Sequence, residues 1–167
     1  MKEFRAQTGI NRALSAEGKV QGGTTAAAKA EIEGLPEAIY KEGSTKSKGA
    51  TAATVNTNTR YRSPQSFGAT KNHAEQNILG DIADQLDKSK GFDAALKGTP
   101  KPGVGGKIHL HVEQEVCGPC RQGLANPDVL PGVVKQFSAE YPNVTIVITN
   151  ARTSEVMFVR GGKVVLL

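Results

Sequence analysis

Residues 24–33 alternate polar and apolar side chains, a period of two that predicts a first strand, and residues 50–60, rich in threonine and valine, predict a second strand paired with it. From 72 to 86 the period changes. Ile78, Leu79, Ile82 and Leu86 recur at helical spacing, which predicts a helix and sets His73 and Glu75 in its first turn. Residues 88–106, with lysines, glycines, Pro100 and Pro102, predict a surface loop. A third strand is expected over 107–116, with Ile108, Leu110 and Val112 on one face and His109, His111 and Glu113 on the other. A short helix over 118–124, ended by Pro127, and another over 133–141 should follow. Residues 143–149 and 155–160 predict a fourth and a fifth strand, the latter continued or turned back at Gly161-Gly162 into 163–167. Only residues 150–154 separate those two strands, too few for a crossover helix, so they should be antiparallel neighbours. Residues 1–22 show no such period and are expected to be a flexible leader or a short helix, leaving 23–167 as one domain.

A chain of 167 residues with 38% hydrophobic content suits one domain with one core. It has no apolar run of about 18 residues that could span a membrane. With two cysteines it has no disulfide framework, and Met1-Lys2-Glu3-Phe4-Arg5 opens no signal-peptide pattern, so the expected working compartment is reducing.

Two short motifs carry the candidate chemistry, His73-Ala74-Glu75 and Cys117-Gly118-Pro119-Cys120. One imidazole and two thiolates can hold Zn²⁺ at three corners of a tetrahedron, with the fourth left to water and a carboxylate beside the first ligand. Three protein ligands plus water make a catalytic site, whereas a structural zinc site closes with four. Both ligand groups are predicted at helix N-termini, where unpaired N–H groups favour thiolate over thiol. Plainer readings exist. Asn72 and Glu75 stand three apart, the spacing of a capping box. Cys-Gly-Pro-Cys is also a thioredoxin-like redox sequence, although that reading gives His73 and Glu75 no task. His109 and His111, with no third ligand in view, are expected to be polar residues on a less covered sheet face.

The net charge of +5 is unevenly spread: residues 41–71 hold Lys41, Lys46, Lys48, Arg60, Arg62 and Lys71 against Glu42 alone. Cations mixed with Asn56, Asn58, Tyr61 and Phe67 are what a surface tracking a nucleic-acid backbone requires, though a solvated hairpin with scattered lysines has the same composition. On the first reading Arg60 and Arg62, with Lys46 and Lys48, pair with phosphates, Tyr61 or Phe67 stacks on a base, and Asn56 or Asn58 bonds the base or sugar.

The order of elements together with His-x-Glu and Cys-x-x-Cys resembles the cytidine deaminase superfamily over about residues 24–160, with the departure that Pro119 lies inside the cysteine pair rather than before it. Within the superfamily the chain looks like the compact deaminase domains at the C-terminal ends of bacterial polymorphic toxins, including those that deaminate cytosine in DNA. The resemblance implies a three-layer α/β fold with a mixed five-stranded sheet. It implies that His73, Cys117 and Cys120 bind zinc and that Glu75 shuttles protons in the hydrolytic deamination of cytosine to uracil. It further implies a monomer acting on single-stranded nucleic acid or a flipped-out base, an immunity protein as partner, and secretion by a bacterial producer as part of a larger toxin that works in the cytoplasm of the target cell. RNA or free nucleotides as substrates, and a non-catalytic zinc-stabilised interaction module, are the alternatives.

Overall fold

The computed structural model describes residues 13–14, 20–21, 25–43, 58–62, 73–113 and 118–165. Among the described residues the strands are β1 (Ala13–Leu14), β2 (Val20–Gln21), β3 (Thr25–Ile32), β4 (Ile39–Gly43), β5 (Gly105–Val112), β6 (Asn143–Asn150), β7 (Val156–Arg160) and β8 (Lys163–Val165). Among the described residues three α-helices are α1 (Ala74–Lys90), α2 (Gly118–Arg121) and α3 (Val133–Glu140), with a 3-10 helix at Ala94–Leu96. The protein is α/β, built on a mixed six-stranded sheet in the order β4-β3-β5-β6-β7-β8. Among the described strands only β5 and β6 run parallel, and the chain between them, which carries α2 and α3, is the crossover that a parallel pair needs. As expected, β6 and β7 are antiparallel neighbours.

The core lies on one face of this sheet. Ala26, Ala28 and Ala30 of β3 sit opposite Val112, Leu110 and Ile108 of β5, and all six are buried. Val144 and Ile146 of β6 continue the layer toward Val159 of β7. Onto it α1 lays Ile78, Leu79, Ile82 and Leu86, the residues its period selects, while α3 adds Val133, Val134 and Phe137. Gly91, in the left-handed region at φ 66°, ends α1 by donating to the Lys88 carbonyl, and Phe92 N–H reaches the Asp87 carbonyl at 2.9 Å. No helix among the described residues is long and apolar enough to cross a membrane.

Four expectations need correction. The strand beside β3 is β4, whose Tyr40 hydroxyl also donates to Gln85 of α1 at 2.7 Å; residues 50–57 of the predicted second strand lie outside the described residues, and 58–60 are not strand. The sheet has six strands rather than five, because Gly161 and Gly162, both at positive φ, turn the chain back and β8 pairs with β7. The layers differ from the three-layer expectation as well: α1 and α3 pack on each other and on the same sheet face, so the described residues form two layers. On β3 and β5 the opposite face carries Lys29, Glu31, Lys107, His109 and His111, and on β6 it carries the buried Val147. Within 1–22, the described part is the short antiparallel pair β1 and β2 rather than a helix.

Candidate metal centre and the network beside it

His73 is the N-cap of α1, with extended backbone (φ −85°, ψ 152°), and its carbonyl accepts from Asn77 N–H at 3.1 Å. Glu75 therefore occupies the second helical position. A capping box needs its carboxylate at the third, so the structure does not support that reading; Asn72 lies outside the described residues. Glu75 is 2% exposed, and its charge sits at the positive end of a 17-residue helix. Cys120, fully buried, comes from α2 after the β5 strand. One ligand atom from each of His73, Glu75 and Cys120 falls within 4.8 Å of the others, a spacing that fits a single metal ion. An imidazole and a thiol are donors that zinc accepts readily, and a carboxylate is acceptable to it too. Cys117, the other predicted ligand, lies outside the described residues, as do Asn56, Phe67, Lys46 and Lys48.

The two residues after Glu75 hold a passing segment. Asn77 Oδ1 accepts from Asn58 N–H at 2.9 Å, and Gln76 Nε2 donates to the Asn58 carbonyl at 3.2 Å. Both side chains are buried. The Asn58 carboxamide lies along the helix over Gly80, and its Nδ2 donates to Asp81 and Asp84. Residues 58–62 thus cross α1 from beside the candidate centre toward α3, where Gln136 Nε2 donates to the Arg62 carbonyl at 2.7 Å.

Along that path Arg60 and Tyr61 occupy a different place from the one charge pattern predicts. The Arg60 side chain is 3% exposed and is bound by Asp84 at 2.8 Å, Asp87 at 2.7 Å and Glu140 at 2.5 Å. Its guanidinium is spent on internal carboxylates and is not presented to phosphates. Tyr61 is also buried; its hydroxyl donates to Glu140 at 2.5 Å and its ring meets Phe137 edge-on, so it offers no face to a base. The Asn58 side chain is likewise engaged by Asp81 and Asp84. Among the described residues of the basic segment, Lys41 and Arg62 are exposed cations. Lys101 completes the network, 2.5 Å from Glu140.

Burial in this network opposes the charge of Arg60, but the hydrogen bond to Asp84, with Tyr61, Glu140 and Asp87, raises its pKa above the ordinary value. Burial also opposes ionisation of Glu140, yet donation from Lys101, then Tyr61, the Gly98 N–H and Arg60, holds its pKa low. The Tyr61 hydroxyl is pushed well up, first by burial and then by Glu140. Sequence reading missed Asp84, Asp87, Lys101, Glu140 and Tyr141, although Asp81, Asp84 and Asp87 recur every three residues and mark a stripe facing the basic segment. His109 and His111 are on the exposed sheet face, with Glu31 at 3.6 Å and Thr149 at 2.9 Å as neighbours.

No protein-family model matches the chain, and no curated protein or solved structure matches it either.

Proposed function

We propose that the protein is a zinc-dependent deaminase that converts cytosine to uracil in nucleic acid, DNA being the favoured polymer, on a cytidine deaminase-like fold. The observation that carries this reading is the convergence of His73, Glu75 and Cys120 from the start of α1 and from α2. Two of these groups suit zinc, and the third is a carboxylate buried beside them. His73 and Cys120 would hold the ion, joined by Cys117 on the strength of the sequence motif. When bound, zinc makes hydroxide available near neutral pH.

The chain's own part is proton movement. Glu75 takes the proton from water, delivers one to ring N3 of cytosine as the oxygen attacks C4, and passes another to the departing amine. The C4–N bond breaks, a C4–O bond forms, and ammonia leaves uracil behind. Since C4 is inaccessible in stacked duplex, the base must be presented unstacked. A role as the toxic C-terminal domain of a bacterial polymorphic toxin, neutralised by an immunity protein and delivered into a target cell, is the biological form of this proposal; it rests on the resemblance of the two motifs.

A second reading has an observation of its own. With Arg60 and Tyr61 buried, two of the expected polymer contacts are lost, which favours a free nucleoside or nucleotide as substrate. Uracil release measured on single-stranded DNA, duplex DNA, RNA and free cytidine separates these. Turnover on single-stranded DNA well above that on cytidine supports the first reading, the reverse order supports the second, and zinc-loaded protein inactive on all four is an interaction module.

A further inference from the structure

A cavity of about 520 Å³ opens between the end of the 58–62 segment and α3, and none of the three donor residues of the candidate centre lines it. Its floor is the ion-pair network, with Tyr61 and Glu140 buried and Arg60 beside them. Pro131 and Ala139 form apolar walls, and Lys97 and Lys135 also line it.

The charge of this lining is lopsided. Arg60, which Asp84 and Asp87 already bind, and the two lysines stand against one lining carboxylate, that of Glu140. Its Oε1 already accepts from Arg60, Lys101 and the Gly98 N–H, and its Oε2 accepts from Tyr61. Neither oxygen has charge to spare for the two lysines. The Lys97 side chain is 53% exposed and reaches Asp84 only at 3.4 Å, so it can turn toward an anion in the cavity at little cost.

An apolar cavity bordered by a few convergent polar groups is the usual form of a small-ligand site. We propose that this cavity binds a nucleoside phosphate, the phosphate between Lys97 and Lys135 and the sugar or base against Pro131 and Ala139. A free nucleotide and one unit of a strand share that chemistry. The strand form rests on the deaminase reading, for which it supplies a polymer contact apart from the candidate centre.

Binding of the full chain to thymidine 5′-monophosphate and to the ten-residue oligonucleotide d(T)₁₀, neither of which contains cytosine, tests the proposal without turnover. In Lys97→Glu, Lys135→Glu the affinity for d(T)₁₀ should fall about tenfold or more at low salt, and the log-log salt slope should flatten by about 1.4, at about 0.7 per lost phosphate contact. The Lys135 stem passes close to Gly123, so its replacement carries a folding risk. Ala139→Trp, at an exposed wall position, fills the cavity without changing charge and should weaken binding while the salt slope is kept.

Greater sensitivity of d(T)₁₀ than of the mononucleotide supports a strand site, and equal sensitivity supports a free-nucleotide site. Folded variants that bind both probes like the parent overturn the proposal. It is also overturned if only a poly-glutamate peptide, and neither nucleotide probe, responds to the substitutions, because the cavity then serves an acidic protein. Failure of the deaminase reading is seen separately, as a parent protein that releases no uracil from a cytosine oligonucleotide.

Discussion

Asn58 rests on Gly80: a Cβ at position 80 would overlap the Asn58 carboxamide, which instead settles against the helix and donates to Asp81 and Asp84 at 2.9 Å each. The glycine is needed for close approach, not for backbone freedom, and it lies one helical turn beyond the residues that grip the Asn58 main chain. Position 80 therefore decides whether the segment that leads to Arg60 can lie on α1 at all.

Gly80→Ala should destabilise the protein by about 1 to 3 kcal/mol, the usual cost of forcing an extra methyl into a filled space. In an Asn58→Ala background the cost should shrink: the carboxamide is gone, the residue 58 Cβ still stands 3.0 Å from the new methyl, and the helix preference for alanine over glycine, roughly 0.8 to 1 kcal/mol, offsets part of what remains. Denaturant midpoints of the four proteins in a double-mutant cycle measure this coupling. Additive effects would mean that Asn58 and Gly80 do not touch.

Arg60→Met should cost about 3 to 5 kcal/mol, because removing one partner leaves Asp87 and Glu140 buried with too little positive charge. The loss should change little between low and high salt, since buried pairs are screened far less than exposed ones. Thermal melts at two ionic strengths check both points. A stable Arg60→Met protein that binds oligonucleotide poorly would return Arg60 to the phosphate-contact role its sequence suggested.

The same network sets a two-sided pH dependence. Donation from Lys101 and its neighbours holds Glu140 below its ordinary 4.5, and Arg60 with Asn58 holds Asp84 below 3.8, in both cases against the effect of burial. Depressed carboxylates stabilise the fold above their unfolded pKa, and that contribution is lost as pH falls through the folded values. Tyr61, and Tyr141 through burial and then Asp87, are raised above 10.0. Above about pH 10 the unfolded tyrosines ionise while the folded ones do not, so stability falls again. Denaturation midpoints should be level through neutrality and decline below about pH 4.5 and above about pH 10. Tyr61→Phe should make the alkaline decline shallower, and an unchanged decline would remove Tyr61 from the account.

How far the sequence carried depends on whether a residue's neighbours are local. The α1 stripe and the alternation in β5 are legible because their periods are set by elements whose hydrogen bonds are regular. The β4 strand was not: Ile39-Tyr40-Lys41-Glu42-Gly43 has little alternation of its own and is held by the edge of β3 and by Gln85. For the candidate centre, His73, Glu75 and Cys120 came together as their motifs imply. Arg60 misled because charge is visible in sequence and its neutralisation is not. The carboxylates that bind Arg60 lie 24, 27 and 80 positions away.

The final prediction separates the two roles a buried carboxylate can have beside a metal. If Glu75 moves protons and His73 and Cys120 are ligands, Glu75→Gln should keep about one zinc per chain and lose at least about 100-fold in turnover, the low end of what general acid–base catalysis contributes. Cys120→Ser should lose metal and activity together, and its melting temperature should no longer respond to a chelator, whereas the parent's should fall when zinc is removed. The three donors lie within 4.8 Å, so Glu75 itself is close enough to act as a ligand. Zinc analysis decides this. A Glu75→Gln protein that folds but binds no zinc would make Glu75 a ligand and the site a closed structural one, and the proton-transfer role would fall with it.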